Sequence, residues 1–206
     1  MNALLLCGFQ IDFLPGGSIS VPKGDKAIPL INECMDKFDK VVFCADQHPA
    51  NHNSFAANHL WRRPGQSMTI DGESRLLWDM HCVKGSFGAE IHPKLEEDKI
   101  DKFFNKGTDP QKDSYSCFWN AADKEKTGLE AWLSSQSIDS IFLAGMPLEF
   151  EIRYTALDAI RLKIKTHILE DACFALDPEK QKGALEELAA AGAIITNTKA
   201  LTQINS

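Results

Sequence analysis

The feature that most restricts the fold of this chain is a repeated change of hydrophobic period. Six short apolar runs read as strands: "ALLLCGF" (3–9), "KVVFCA" (40–45), "DKFFNK" (101–106), "SIFLAG" (140–145), "KTHILE" (165–170) and "AIITNT" (193–198). The more continuous of them suit strands buried on both faces. Between them, "DKAIPLINECMDKF" (25–38), "TGLEAWLSSQ" (127–136), "EFEIRYTALDAIRL" (149–162) and "DPEKQKGALEELAAAG" (177–192) carry apolar residues at helical spacing. Two of these have recognisable starts: Asp177 followed by Pro178, and Thr127 with Glu130 as a capping box. Strands that alternate with helices predict an α/β fold, a mainly parallel sheet with helices on both faces.

The 206 residues, 44% of them hydrophobic, suit one globular domain over 1–206. No apolar run is long enough to span a bilayer, and "MNALLLCG" lacks the basic start and cleavage site of a signal peptide, so a cytoplasmic location without membrane contact is expected. A net charge of −7 with interspersed signs argues against nucleic acid as a partner. The six cysteines (Cys7, Cys34, Cys44, Cys82, Cys117 and Cys173) form no C-x-x-C pair and sit mostly in apolar runs, the pattern of buried thiols in a reducing compartment.

In α/β sheets ligands collect at the carboxyl ends of the strands. Three expected strands run there into polar segments: "ADQHPANHNSF", Asn105-Lys106-Gly107 and "GMPLEFE". The stretch 46–93, rich in His, Asn, Gly and Pro, is too long for an ordinary connection and reads as functional. Asp46 and His48, two apart in an extended segment, point to one side. With His81 as third donor and His52 as an optional fourth, they suit a divalent ion, zinc first and iron or manganese as alternatives; a solvated loop gives the same short pattern. His92 and His167 lack such company and read as structural or surface residues. Lys106 is either a surface charge or a catalytic cation. Phe13 and Trp78 are either core or a clamp on a flat ligand.

Together these segments resemble the nicotinamidase/pyrazinamidase group of the isochorismatase-like cysteine hydrolases. The likeness runs through "ALLLCGFQIDFLPGGS", "ADQHPANHNSF", "LWDMHCVKGSFGAEIHP", "FFNKGTDPQKDSYSCFW", "GMPLEFEIRYTALDAI" and "AAGAIIT". It implies a Rossmann-like three-layer sandwich with a six-stranded sheet, and a homo-oligomer. It also implies a metal ion on Asp46, His48 and His81, with His52 nearby, and a small aromatic carboxamide or carboxylate held between Phe13 and Trp78 with Tyr115 on the same pocket. Backbone N–H groups near Leu148 would meet the developing oxyanion, beside a cis bond at Pro147-Leu148.

The resemblance also implies an Asp–Lys–Cys triad, and here the chain departs from it. Lys106 is present, but Gly8 stands at the aspartate position, Asp12 matches only a second, non-catalytic aspartate, and Glu151 stands at the cysteine position. A carboxylate nucleophile leaves more readily than the amine, so its adduct reverts. Cys7 and Cys82 neighbour site positions in extended chain and are expected to face the core. Two readings follow. In the first the chain keeps the metal site and ligand pocket but is inactive as a cysteine amidase, with Glu151 as the counter-charge of an otherwise unpaired Lys106 and Gly8 making room for it. In the second it is an active amide hydrolase in which Glu151, with Lys106, serves as base for a water.

Overall fold

The structure, a computed structural model, describes residues 1–121 and 125–203. Six strands make one sheet: β1 (Asn2–Cys7), β2 (Lys40–Asp46), β3 (Lys102–Lys106), β4 (Ser140–Gly145), β5 (Lys165–Cys173) and β6 (Ile194–Thr196). Their spatial order is β6-β5-β4-β1-β2-β3, and every neighbouring pair is parallel. Four α-helices pack on it: α1 (Ala27–Cys34), α2 (Leu129–Ser135), α3 (Arg153–Arg161) and α4 (Gln181–Ala191). The expected six-stranded α/β fold is the one observed.

Successive strand residues face opposite sides, and the two sides are two cores. Leu4 and Leu6 join Phe43, Phe142 and the buried face of α1 on one side. Leu5 and Cys7 join Val42, Cys44, Leu143 and residues of α2, α3 and α4 on the other. With apolar layers on both faces, β1, β2 and β4 read as continuous hydrophobic runs rather than alternating ones.

Local departures from expectation have local causes. The predicted helix over 149–162 begins with a π-wound turn at Leu148–Ile152, and only Arg153–Arg161 is α-helical. The capping box at α2 does not form. Gly128, at φ +92°, precedes the helix, the Thr127 hydroxyl donates to the Cys117 carbonyl at 2.7 Å and accepts the Leu129 N–H, and Glu130 pairs with Lys126. Asp177 does cap the turn before α4, accepting the Glu179 N–H at 3.1 Å. The long stretch after β2 doubles back on itself through a hairpin, Ser67–Ile70 with Glu73–Leu76, and through bridges His48–Val83 and Phe55–Trp78. Those bridges carry His81 and Trp78 back to the end of β2. All six cysteines are buried and unpaired, and no helix among the described residues is long and apolar enough to cross a membrane.

Candidate active site and metal centre

Asp46 ends β2, Lys106 ends β3, and the register makes them direct partners, so both side chains leave the sheet edge together. The Lys106 ammonium donates to the Asp46 carboxylate and, at 3.1 Å, to the Ser114 carbonyl, and lies 3.5 Å from Glu151 Oε1. All three charged groups are buried. Burial works against the Lys106 charge, but Asp46 and Glu151 outweigh it and hold the ammonium protonated. Burial also opposes the Asp46 charge; Lys106 and His48 outweigh it and keep its carboxyl below the ordinary range. For Glu151 burial prevails over the pull of Lys106, and its carboxyl titrates well above the usual range. The expected Glu151–Lys106 contact is there, but the expectation that Lys106 would otherwise be unpaired is corrected. Asp46 is its principal counter-charge, because strand register delivers it, and Glu151 is a second, more protonated neighbour.

Asp46, His48 and His81 are buried and each offers one donor atom, all within 4.8 Å of one another. His48 Nδ1 is 2.9 Å from the Gly107 carbonyl and His81 Nδ1 is 2.8 Å from the Asp79 carbonyl. A carbonyl only accepts, so Nδ1 carries the proton in each ring and Nε2 keeps a free lone pair. Burial, only partly offset by Asp46, pushes His48 down to about 3, and burial lowers His81 too, so both imidazoles are neutral, the ligating form. Gly107, at φ +66°, permits this packing; a Cβ there would lie 2.4 Å from the His48 ring. One carboxylate and two neutral imidazoles fit a borderline divalent ion such as zinc, iron or manganese. His52 does not join them. Its Nε2 bonds the Lys112 carbonyl at 3.0 Å and its Nδ1 accepts the Ser54 N–H at 3.1 Å, which leaves it an edge contact with the His48 ring. His92 and His167 stand apart, the latter stacked on Phe142.

Two residues after β1 hold this centre in place. Gln10 accepts the Asp46 N–H at 2.7 Å and donates to its carbonyl at 2.8 Å. Asp12 accepts the Cys82 N–H at 2.7 Å, which ties the His81 segment to the end of the sheet.

Phe13, Trp78, Tyr115, Lys106 and Glu151 line one pocket with the metal donors, open to solvent at its mouth. Trp78 Nε1 donates to the Tyr115 hydroxyl at 3.1 Å, which fixes the two aromatic walls. Phe150, which sequence reasoning did not single out, meets Trp78 edge-on at 4.9 Å. Regular helical spacing gave no reason to place both Phe150 and Glu151 in the pocket; the π-wound turn does so.

Leu148 is not a pocket residue. It is fully buried, and its N–H donates to the Phe174 carbonyl at 2.9 Å, so it is not offered to a ligand. The cis bond is Met146-Pro147, one position before the expected Pro147-Leu148. Gly8 has φ +68°, and a Cβ on it would sit 1.9 Å from the Met146 carbonyl oxygen and 3.5 Å from Glu151 Oε2. Glycine at position 8 is therefore demanded by the Met146 carbonyl and the positive φ, whereas the Glu151 carboxylate lies at ordinary contact distance. Cys7 and Cys82 are buried in the two cores.

Fold and pocket together define a three-layer α/β protein with its site at the carboxyl ends of the strands. A domain model described as the isochorismatase domain matches residues 2–200, and the chain belongs to that family. It is 37% identical over 202 residues to the nicotinamidase of Escherichia coli strain K12, covering 94% of this chain and 93% of that one. The yeast nicotinamidase bound to the inhibitor nicotinaldehyde superposes with a TM-score of 0.90 at 30% identity, covering 96% and 100% of the two chains. The pyrazinamidase of Pyrococcus horikoshii in complex with zinc does so with 0.77 at 33% identity, covering 95% and 98%.

Proposed function

We propose that this chain is an amide hydrolase of the nicotinamidase type in which a carboxyl group, Glu151, takes over from a thiol. The observation that carries this reading is the placement of Glu151: buried on the wall of an aromatic pocket, 3.5 Å from the Lys106 ammonium, with its proton affinity raised. A buried carboxyl with raised proton affinity beside a fixed cation is the kind of group that carries protons in active sites. The kinship with nicotinamidases, one of them bound to a pyridine aldehyde, supports a pyridine carboxamide as substrate.

Phe13 and Trp78 hold the ring between apolar surfaces, and Phe150 and Tyr115 narrow the approach. A divalent ion on Asp46, His48 and His81 supplies, when bound, a Lewis-acid centre for the ring nitrogen; a zinc-containing relative supports that choice of metal. Glu151 takes a proton from the water that attacks the amide carbon and returns it to the departing nitrogen, so that water and carboxamide become carboxylic acid and ammonia, which part as carboxylate and ammonium. Lys106 puts a fixed positive charge beside the carbon where negative charge develops.

The test is ammonia release from nicotinamide by metal-loaded protein. Turnover that falls by about 10²–10⁴-fold in Glu151→Gln supports the carboxyl as proton carrier. A silent wild type that still binds nicotinamide supports the other reading, a ligand pocket without amidase chemistry. Two observations favour that second reading: no thiol lines the pocket among the described residues, and the Leu148 N–H is already engaged.

A further inference from the structure

Three cysteines converge beside Glu151 without lining the pocket. Cys7 ends β1 and Cys44 lies opposite it in β2, on the same face of the sheet. Cys117 reaches them from the segment after β3. The Cys7 and Cys117 sulfurs are 3.4 Å apart, and Cys117 Sγ lies 3.8 Å from Glu151 Oε1. Cys7, Cys117 and Glu151 each present a donor atom within 4.8 Å of the others. All four residues are buried, none of the cysteines is in a disulfide, and the Lys106 ammonium stands next to Glu151.

Hydrogen bonds among these groups hold the thiols close, and the same spacing suits a metal ion. Around a tetrahedral zinc, bonds of about 2.3 Å to sulfur and about 2.0 Å to oxygen put two sulfurs about 3.8 Å apart, and a sulfur and an oxygen about 3.5 Å apart. The distances of 3.4 Å and 3.8 Å found here are already close to those. Two thiolates and one carboxylate around a divalent cation leave one negative charge, beside the Lys106 ammonium that Asp46 also pairs. Burial opposes a thiolate at Cys117, but hydrogen bonds from Cys44 and Cys7 and the charge of Lys106 outweigh it and hold this thiol well below the ordinary range.

We propose that Cys7, Cys117 and Glu151, with Cys44 as fourth donor, form a second, thiolate-rich site for a thiophilic divalent ion, separate from the Asp46–His48–His81 set. Binding releases one proton from each thiol that becomes a ligand and the proton of Glu151 where it is held, and takes the Glu151 carboxylate out of the pocket. The second consequence, loss of turnover, rests on the reading of Glu151 as proton carrier; the site itself does not.

Cobalt(II) is the probe, added to the full chain under a non-thiol reductant and without substrate. Cobalt on sulfur gives a near-ultraviolet thiolate-to-metal charge-transfer band, which a carboxylate–imidazole site cannot give. The expected result is that band in the wild type, retained in His48→Ala/His81→Ala and lost in Cys117→Ser. Cys7→Ser gives an independent loss if Cys117→Ser does not fold. Absence of the band in reduced wild type at saturating cobalt overturns the proposal, as does its survival in both serine variants. In turnover assays, cobalt beyond the first equivalent should suppress ammonia release at least tenfold in the wild type and not in the serine variants. Where the wild type is silent at every metal level, the hydrolase reading fails while the band still decides the site.

Discussion

Glu151→Gln separates two accounts of the buried charges at the strand ends. Were Glu151 the obligatory partner of Lys106, its removal would strand a buried cation, at a cost of about 3–5 kcal/mol. The structure points elsewhere, since Lys106 keeps Asp46 and the Ser114 carbonyl when Glu151 is neutralised. Burial raises the Glu151 carboxyl in the folded chain, so between the unfolded value and that raised value the native state binds the extra proton. The contribution of Glu151 is therefore fully present below its unfolded value and is lost as pH rises through the folded one, at up to about 1.4 kcal/mol per pH unit. Glutamine does not titrate. In metal-free protein, Glu151→Gln should match the wild type within about 1 kcal/mol at pH 5 and then gain on it as pH rises. For a chain of this size each kcal/mol moves the melting temperature by about 2–4 °C. Thermal unfolding with a chelator from pH 5 to 9 measures the difference. A variant that melts about 6 °C or more below the wild type at every pH would refute the reasoning and restore an obligatory Glu151–Lys106 pair.

Three further outcomes are expected. Gly8→Asp, which restores the carboxylate implied by the family resemblance, should destabilise the chain by about 3 kcal/mol or more in denaturant unfolding, because φ is +68° and the Cβ meets the Met146 carbonyl at 1.9 Å; wild-type stability would mean that the 145–147 backbone yields easily. Gln10→Ala removes the two hydrogen bonds that frame the Asp46 peptide, and should weaken metal retention at the first site about 10-fold or more, read by metal analysis after dialysis. Trp78→Ala should raise KM for nicotinamide more than it lowers kcat, since its ring contributes binding surface and not proton transfer; a kcat loss with constant KM would contradict that role.

Much of the fold was legible in the sequence because hydrophobic period reports burial directly. Continuous apolar runs gave strands covered on both faces, and six of them with intervening amphipathic segments gave the sheet. The donor pair Asp46 and His48 was legible for the same reason, since alternation in extended chain puts both on one side. His81 was a candidate from composition and resemblance. What brings it close is the pair of bridges that folds 46–93 back on β2, and no local rule specifies them.

The sequence by itself determined the α/β class, set glycine at position 8 and glutamate at position 151, and offered Asp46, His48 and His81 as candidate donors. Only tertiary structure decided the partnerships. Register set Asp46 against Lys106 beside Glu151, a backbone carbonyl and a backbone N–H took the two nitrogens of His52, and Phe174 took the Leu148 N–H. A π-wound turn brought Phe150 into the pocket with Glu151, and three strand and loop thiols met behind it. The physical reason is common to all of these. A residue type fixes which bonds a group can make, whereas the partner it finds depends on segments distant in the chain that burial forces together.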